Sequence, residues 1–171
     1  MDEQLDRMNK LMGVNCLHRG NIASSKGKRW MVAVDGSEAC QRAFEGVLKL
    51  MHPSDDHLFV VCVRNKNLPR RFALRPSEEV QLHFHLWKSA RQIVKPFADQ
   101  LAGRLAASNF TVLIPEAWDA RRVVCNLCKQ YEVSTLCVGK HSKSEHNRHQ
   151  RHVRSLHSYT TKHAHCQVIV F

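Results

Sequence analysis

No stretch of this sequence approaches the roughly 20 consecutive apolar residues of a membrane-spanning helix. The first residues, MDEQLDRMNKLMG, mix acids and bases around no apolar core. Neither a secretory leader nor a membrane partner is expected, and the chain is expected in the cytoplasm. Acids are scarce: 15 Asp and Glu stand against 26 Lys and Arg, with 12 His besides, for a formal net charge of +11. That balance points to anionic partners, whether nucleotide, nucleic acid or acidic protein surfaces. A paired cysteine framework is missing too, because the 7 cysteines are odd in number. Cys40, Cys62, Cys125, Cys128, Cys137 and Cys166 fall inside apolar patterns. In a reducing compartment such cysteines behave as small hydrophobes, and no disulfide is expected.

Catalytic signatures are also absent. No G-x-S-x-G nucleophile elbow is present, and no aromatic RNP pattern marks an RNA-binding sheet. Cys125-x-x-Cys128 has no second pair to complete a zinc site. Cys125 also lies too deep in its expected helix for thioredoxin-like chemistry. The two cysteines read as small core residues at i and i+3.

What is there is an alternation of apolar runs and helical patterns. Trp30-Met31-Val32-Ala33-Val34 is an unbroken apolar run, which a central parallel strand covered by helices on both faces requires. Asp35-Gly36-Ser37 follows, supplying a tight turn and a Ser N-cap. Further strands are expected at 57–63, 110–114, 134–138 and 166–171. Helices are expected over 39–51, 77–107 (kinked or split near Val94-Lys95 by Pro96), 119–131 and 154–163. Strands alternating with helices imply a doubly wound parallel sheet, an α/β fold. In such sheets ligands sit in the loop beyond the carboxyl end of a central strand, which is where Asp35 lies. Residues 1–28 read as a partly flexible extension, with a short helix at 2–12 and a flexible, basic linker at Gly20-Asn21 and 24–28; the domain proper is 29–171.

Two basic stretches stand out. Arg64–Pro76 carries Arg64, Lys66, Arg70, Arg71 and Arg75 with no acid, and Lys140–Arg154 is crowded with Lys, Arg and His. His146, His149 and His152 share an i, i+3, i+6 spacing. A solvated basic loop, phosphate contacts and metal capture are the three readings; with Glu145 the one nearby carboxylate, a metal site is the least favoured.

Val32-Ala33-Val34-Asp35-Gly36-Ser37-Glu38, the strand end Val61-Cys62-Val63, the segment Glu116–Gly139 and the closing Lys162–Val170 together resemble the universal stress protein family. The resemblance covers about residues 29–171. It implies a five-stranded parallel sheet of order 3-2-1-4-5, the adenine-nucleotide alpha-hydrolase-like architecture. It also implies a homodimer, often through the final strand, and in one branch of the family binding of ATP. Val168-Ile169-Val170-Phe171, an apolar edge strand, suits a partner strand for its own reasons. The ATP-binding branch carries G-x-x-G, nine residues, then G-[S/T]. Glycines there let backbone N–H groups reach the phosphates, and the last pair opens an anion-friendly helix N-terminus.

This chain keeps Gly139 and Ser155 of that motif. Gly139-Lys140-His141-Ser142 lacks the second glycine, Arg154-Ser155 stands where G-[S/T] belongs, and eleven residues separate Ser142 from Arg154. The resemblance makes Asp35 the adenine and ribose-side residue of a nucleotide site, with Val34, Gly36, Ser37, Cys62 and Val63 as further candidates for binding the nucleotide. Gly139, Lys140, His141, Ser142, Arg154 and Ser155 form its phosphate side. Two functions stay open. One is a stress-response regulatory domain binding ATP or AMP, with Mg only as the nucleotide's companion, no catalytic residues and at most weak ATP hydrolysis. The other is an interaction module of the same fold, whose basic face meets an acidic protein or RNA.

Overall fold

A computed structural model describes residues 13–65, 76–140 and 156–171. Its strands are β1 (Val14–His18), β2 (Arg29–Ala33), β3 (His57–Val61), β4 (Arg64–Asn65), β5 (Phe110–Ala117), β6 (Thr135–Val138) and β7 (Gln167–Val170). The helices are α1 (Glu38–Leu50), α2 (Pro76–Ala102), α3 (Ala120–Gln130) and α4 (Leu156–His163). The main sheet runs β1-β5-β3-β2-β6-β7, with β4 pairing β5 off this path. All neighbours from β5 to β7 are parallel. Renumbered by their own order, β2, β3, β5, β6 and β7 stand as 3-2-1-4-5, as expected.

The long apolar runs have a direct cause. Trp30, Val32 and Val34 enter one core layer with Phe44, Leu58, Val60, Val94, Phe97 and Leu101, on the side of α1 and α2. Met31 and Ala33 enter the other with Phe59, Val61, Val124, Leu127 and Leu136, on the side of α3. Successive strand residues point to opposite faces, so only a strand covered on both sides needs apolar residues at every position. Each fully buried Leu or Phe side chain is worth about 2 kcal/mol in area removed from water.

Three features differ from expectation. The expected sheet had five strands, and β1 and β4 extend it. β1 comes from the stretch read as an extension: Val14–His18 pairs antiparallel with β5, in register Val14 to Pro115 and Cys16 to Leu113. It covers the edge β5 would otherwise present. Second, α2 continues through Pro96 as one helix, so of the two alternatives, kinked or split, the split does not occur. Pro96 and Gln92 are both exposed, which puts the missing helical hydrogen bond on the solvent side of the helix. Third, α2 buries only its second half. Ala90, Val94, Phe97 and Leu101 are in the core, whereas Val80 and Phe84 are 69% and 66% exposed.

All 7 cysteines are free, with Cys125 and Cys128 buried. No helix among the described residues is long and apolar enough to cross a membrane.

Candidate nucleotide site at the carboxyl end of the sheet

β2 is the central strand, and its ladder extends one residue further through the Val34 N–H, which donates to the Val61 carbonyl at 2.9 Å. The chain then turns. The Asp35 Oδ1 accepts from the Ser37 N–H at 3.0 Å, and Gly36 takes φ +84°, a left-handed conformation a side chain disfavours. Ser37 caps α1, its Oγ accepting from the Cys40 N–H at 3.2 Å. Glu38 sits in the first turn, where the helix dipole favours an acid. Val34 is buried while Asp35 and Gly36 are exposed. The strand thus fixes the backbone and leaves the carboxylate at the surface.

β6 ends opposite. A Cβ on Gly139 would lie 2.3 Å from the Ala39 carbonyl carbon and oxygen, and 2.8 Å from the Cys40 nitrogen. No side chain fits, so α1's first turn rests directly on the backbone leaving β6. Lys140 donates its N–H to the Phe171 carbonyl at 2.8 Å, and Phe171 donates to the Val138 carbonyl at 3.0 Å. The Asp35 turn and the Gly139 corner therefore flank the same helix N-terminus.

Cys62 closes the floor. It is buried and its thiol is pushed up to about 12, first by burial and then by the Asp35 carboxylate and Cys40. Burial also raises the Cys40 thiol, with Asp35 again among the causes. Both thiols are protonated at neutral pH, so the floor of the site carries no thiolate. Val63 is half-buried beside them. The structure thus gathers Val34, Asp35, Gly36, Ser37, Cys62, Val63, Gly139 and Lys140 at one end of the sheet. His141, Ser142, Arg154 and Ser155 lie outside the described residues, as do His146, His149 and His152. No group of three or more His, Cys, Asp or Glu side chains among the described residues is arranged to hold a metal.

Arg64 requires a correction. Its place in the basic stretch made it a candidate for a solvent-facing cationic surface, yet it is buried at 7% exposure. Its guanidinium pairs with Glu116, opposite it in the β4–β5 register, and donates to the His83 carbonyl at 2.9 Å. A cation held this way fastens α2 to the carboxyl end of β5 and is not offered to a partner. The signal was Glu116, but nothing local in sequence couples it to Arg64.

A second polar cluster, at the amino end, also escaped the sequence pattern. Asp56 belongs to the turn chemistry after α1, yet it is 3% exposed. It accepts from the Trp30 Nε1–H at 2.8 Å, the Lys28 N–H at 2.7 Å and the His52 N–H at 2.9 Å. A hollow of about 560 Å³ opens there, lined by Lys26, Lys28, Trp30, His52, Asp55 and Asp56. It faces the end of the sheet away from the Asp35 turn.

The model of the universal stress protein family matches residues 27–171. The chain belongs to the universal stress protein family. Solved structures of the same fold include universal stress protein UspA from Lactobacillus plantarum, at 22% identity and TM-score 0.63, covering 84% of this chain and 97% of that one. A universal stress protein family protein from Arabidopsis thaliana with AMP bound matches at 19% identity and TM-score 0.61, covering 85% and 91%. A universal stress protein in complex with cAMP matches at 14% identity and TM-score 0.51, covering 84% and 96%. No curated protein matches the chain by sequence. At these identities the solved structures establish the fold alone.

Proposed function

We propose that this universal stress protein is a regulatory, stress-response domain that binds an adenine nucleotide, AMP or ATP, at the carboxyl end of β2. Val34, Asp35, Gly36, Ser37, Cys62 and Val63 hold the base and ribose. Gly139, Lys140, His141, Ser142, Arg154 and Ser155 receive the phosphates, with Lys and Arg supplying the neutralisation that the lost motif glycines would have given through backbone N–H groups. Any Mg arrives with the nucleotide. The observation that carries this reading is the exposed Asp35 carboxylate on a rigid turn beside Gly139, both against the N-terminus of α1. A helix N-terminus with its free N–H groups favours phosphate. The proposed role is binding, with hydrolysis at most slow. The cytoplasm is the compartment that suits free, buried thiols.

Calorimetric titration of the purified full chain with ATP and with AMP tests this. Saturable binding below millimolar nucleotide is expected, lost in Asp35→Ala. Silence at millimolar nucleotide, or an Asp35→Ala variant identical to the parent, overturns it.

The same reading includes a homodimer through β7. β1 covers one edge of the sheet, whereas among the described residues β7 pairs with β6 alone and Val170 is 39% exposed. Light scattering at micromolar concentration should give twice the chain mass, and a monomer there counts against the interface.

A further inference from the structure

The nucleotide reading leaves unused the first half of α2. Ala90, Val94, Phe97 and Leu101 enter the core, but Val80 and Phe84 are 69% and 66% exposed, and Trp87 is only half-buried. With 3.6 residues per turn, Val80, Phe84, Trp87 and Arg91 fall within about 60° of one another and form one stripe along the helix. The Arg91 guanidinium lies over the Trp87 ring, 4.7 Å from its centroid, so the apolar stripe ends on a cation. Lys88 stands exposed beside it.

Ile93 marks the opposite flank of α2. A Cβ on Gly36 would meet the Ile93 side chain at 3.5 Å, so that flank lies against the turn that follows β2. Phe84 and Ile93 are half a turn out of phase, and Phe84 therefore looks the other way. α2 packs on β3 and β5, and the next strand beyond β5 is β1. The stripe thus faces the β1 edge, where Leu17 is itself 36% exposed. β1 also begins close by. The Gly13 carbonyl accepts from the Glu116 N–H at 3.2 Å, and Glu116 pairs with the Arg64 guanidinium. Arg64 in turn donates to the carbonyl of His83, the neighbour of Phe84, at 2.9 Å. One ion pair separates the start of β1 from the bare stripe.

The sequence that leads into Gly13, residues 1–12, lies outside the described residues and carries the matching chemistry. Leu5, Met8, Leu11 and Met12 have the spacing of one helix face. Asp2, Glu3 and Asp6 stand towards its start, with Arg7 and Lys10 nearer Gly13. We propose that residues 1–12 dock as an amphipathic helix on the first half of α2, antiparallel to it, and cover the stripe within the same chain. Leu11 and Met12 then meet Val80 and Phe84, Leu5 and Met8 meet Trp87, and the three acids face Lys88 and Arg91. The lengths agree: 12 helical residues span about 18 Å, and Arg91 lies about 12 Å along α2 from His83. A short tether supplies an effective concentration on the order of millimolar, so modest apolar contact is enough to hold the segment.

Hydrogen exchange of the full chain, read by mass spectrometry, tests the docking. Amides within residues 1–12 should exchange at least about tenfold more slowly in the parent than in Phe84→Glu, a change at an exposed position that leaves the core intact. Zero-length carbodiimide coupling should join a carboxylate within residues 1–7 to Lys88 of the same chain. The double variant Leu5→Glu, Met8→Glu should lose that link, although it offers more carboxylates to the reagent. Exchange of residues 1–12 at the free-peptide rate in the parent overturns the proposal, as does protection that survives Phe84→Glu. So does a link found only between chains in an equal mixture of 15N-labelled and unlabelled protein, which would make a second copy the occupant.

Discussion

The two ends of the sheet dispose of an aspartate in opposite ways. At the amino end Asp56 is 3% exposed and accepts three N–H donors, from Trp30, Lys28 and His52. At the carboxyl end Asp35 is exposed, with the Ser37 N–H on one of its oxygens. The first carboxylate binds the protein to itself, and the second faces outward from a turn the protein has already made rigid. Glycine follows the same division. A Cβ at Gly27 would sit 2.1 Å from the Asp56 Oδ1, so the chain there is closed around the acid. At Gly36 the nearest atom to a Cβ is 3.5 Å away, and the restriction is the positive φ. One end has closed its chain around the acid; the other holds its acid out on a fixed turn, as expected where open α/β sheets bind ligands.

The largest effect should come from Asp56→Ala. It strands the Trp30 indole N–H in the core and removes the partner of two backbone donors at the surface. With about 1–3 kcal/mol for each buried donor left unmade, and less for those that regain water, a loss of ~3 kcal/mol is expected. Urea denaturation followed by Trp fluorescence measures it. A loss under ~1 kcal/mol would break the contrast, since Asp56 would then be no more structural than Asp35.

His57 gives the amino end a pH dependence. It is fully buried, with Nε2 at 2.9 Å from the Thr111 Oγ1, and Thr111 in turn accepts the Gly20 N–H at 3.1 Å. Burial, then the charges of Arg29 and His18, lower its pKa from 6.5 to about 4. The folded state therefore holds the neutral ring, and between pH 4 and 6.5 the unfolded chain binds more protons. Stability from this group is complete above about pH 6.5 and is lost as pH falls through about 4. The linkage amounts to at most ~3 kcal/mol. Denaturation midpoints at pH 7 and pH 4.5 should differ in the parent, and His57→Gln should flatten much of that difference. An unchanged slope in the variant would place the acid sensitivity elsewhere.

How much of this was legible in the sequence follows from the range over which each signal acts. The strand His57–Val61 announced itself because all five residues are buried, and α3 did so through its apolar spacing. β1 did not. Val14–His18 is a mixed stretch with one buried residue, and it is a strand because β5 offers an open edge about 100 residues later. Arg64 and Glu116, and Asp56 and Trp30, are likewise joined by topology across distances no local pattern spans. In the candidate site, the Asp35–Ser37 turn was readable because its chemistry is contained within three residues. The contact of Gly139 with Ala39 was readable only as a retained glycine, its reason being the position of α1 against β6.

The smallest effect on stability, and the sharpest test of the contrast, belongs to Asp35→Ala. The substitution removes one acceptor for the Ser37 N–H in a turn whose path Gly36 and the Ser37 cap already fix. That N–H remains near solvent, so the expected cost is about 0.5 kcal/mol, within the range of a surface substitution. It also removes a negative charge that helps keep Cys62 and Cys40 protonated, so both thiols should become easier to ionise. Their alkylation rates in the unfolded chain supply the reference for that change. A site made for a ligand predicts this combination: stability nearly unchanged, adenine-nucleotide binding abolished, buried thiols slightly more acidic. If Asp35→Ala instead unfolds the chain as Asp56→Ala should, the carboxylate is a second structural clasp. The two ends of the sheet would then differ in exposure but not in purpose.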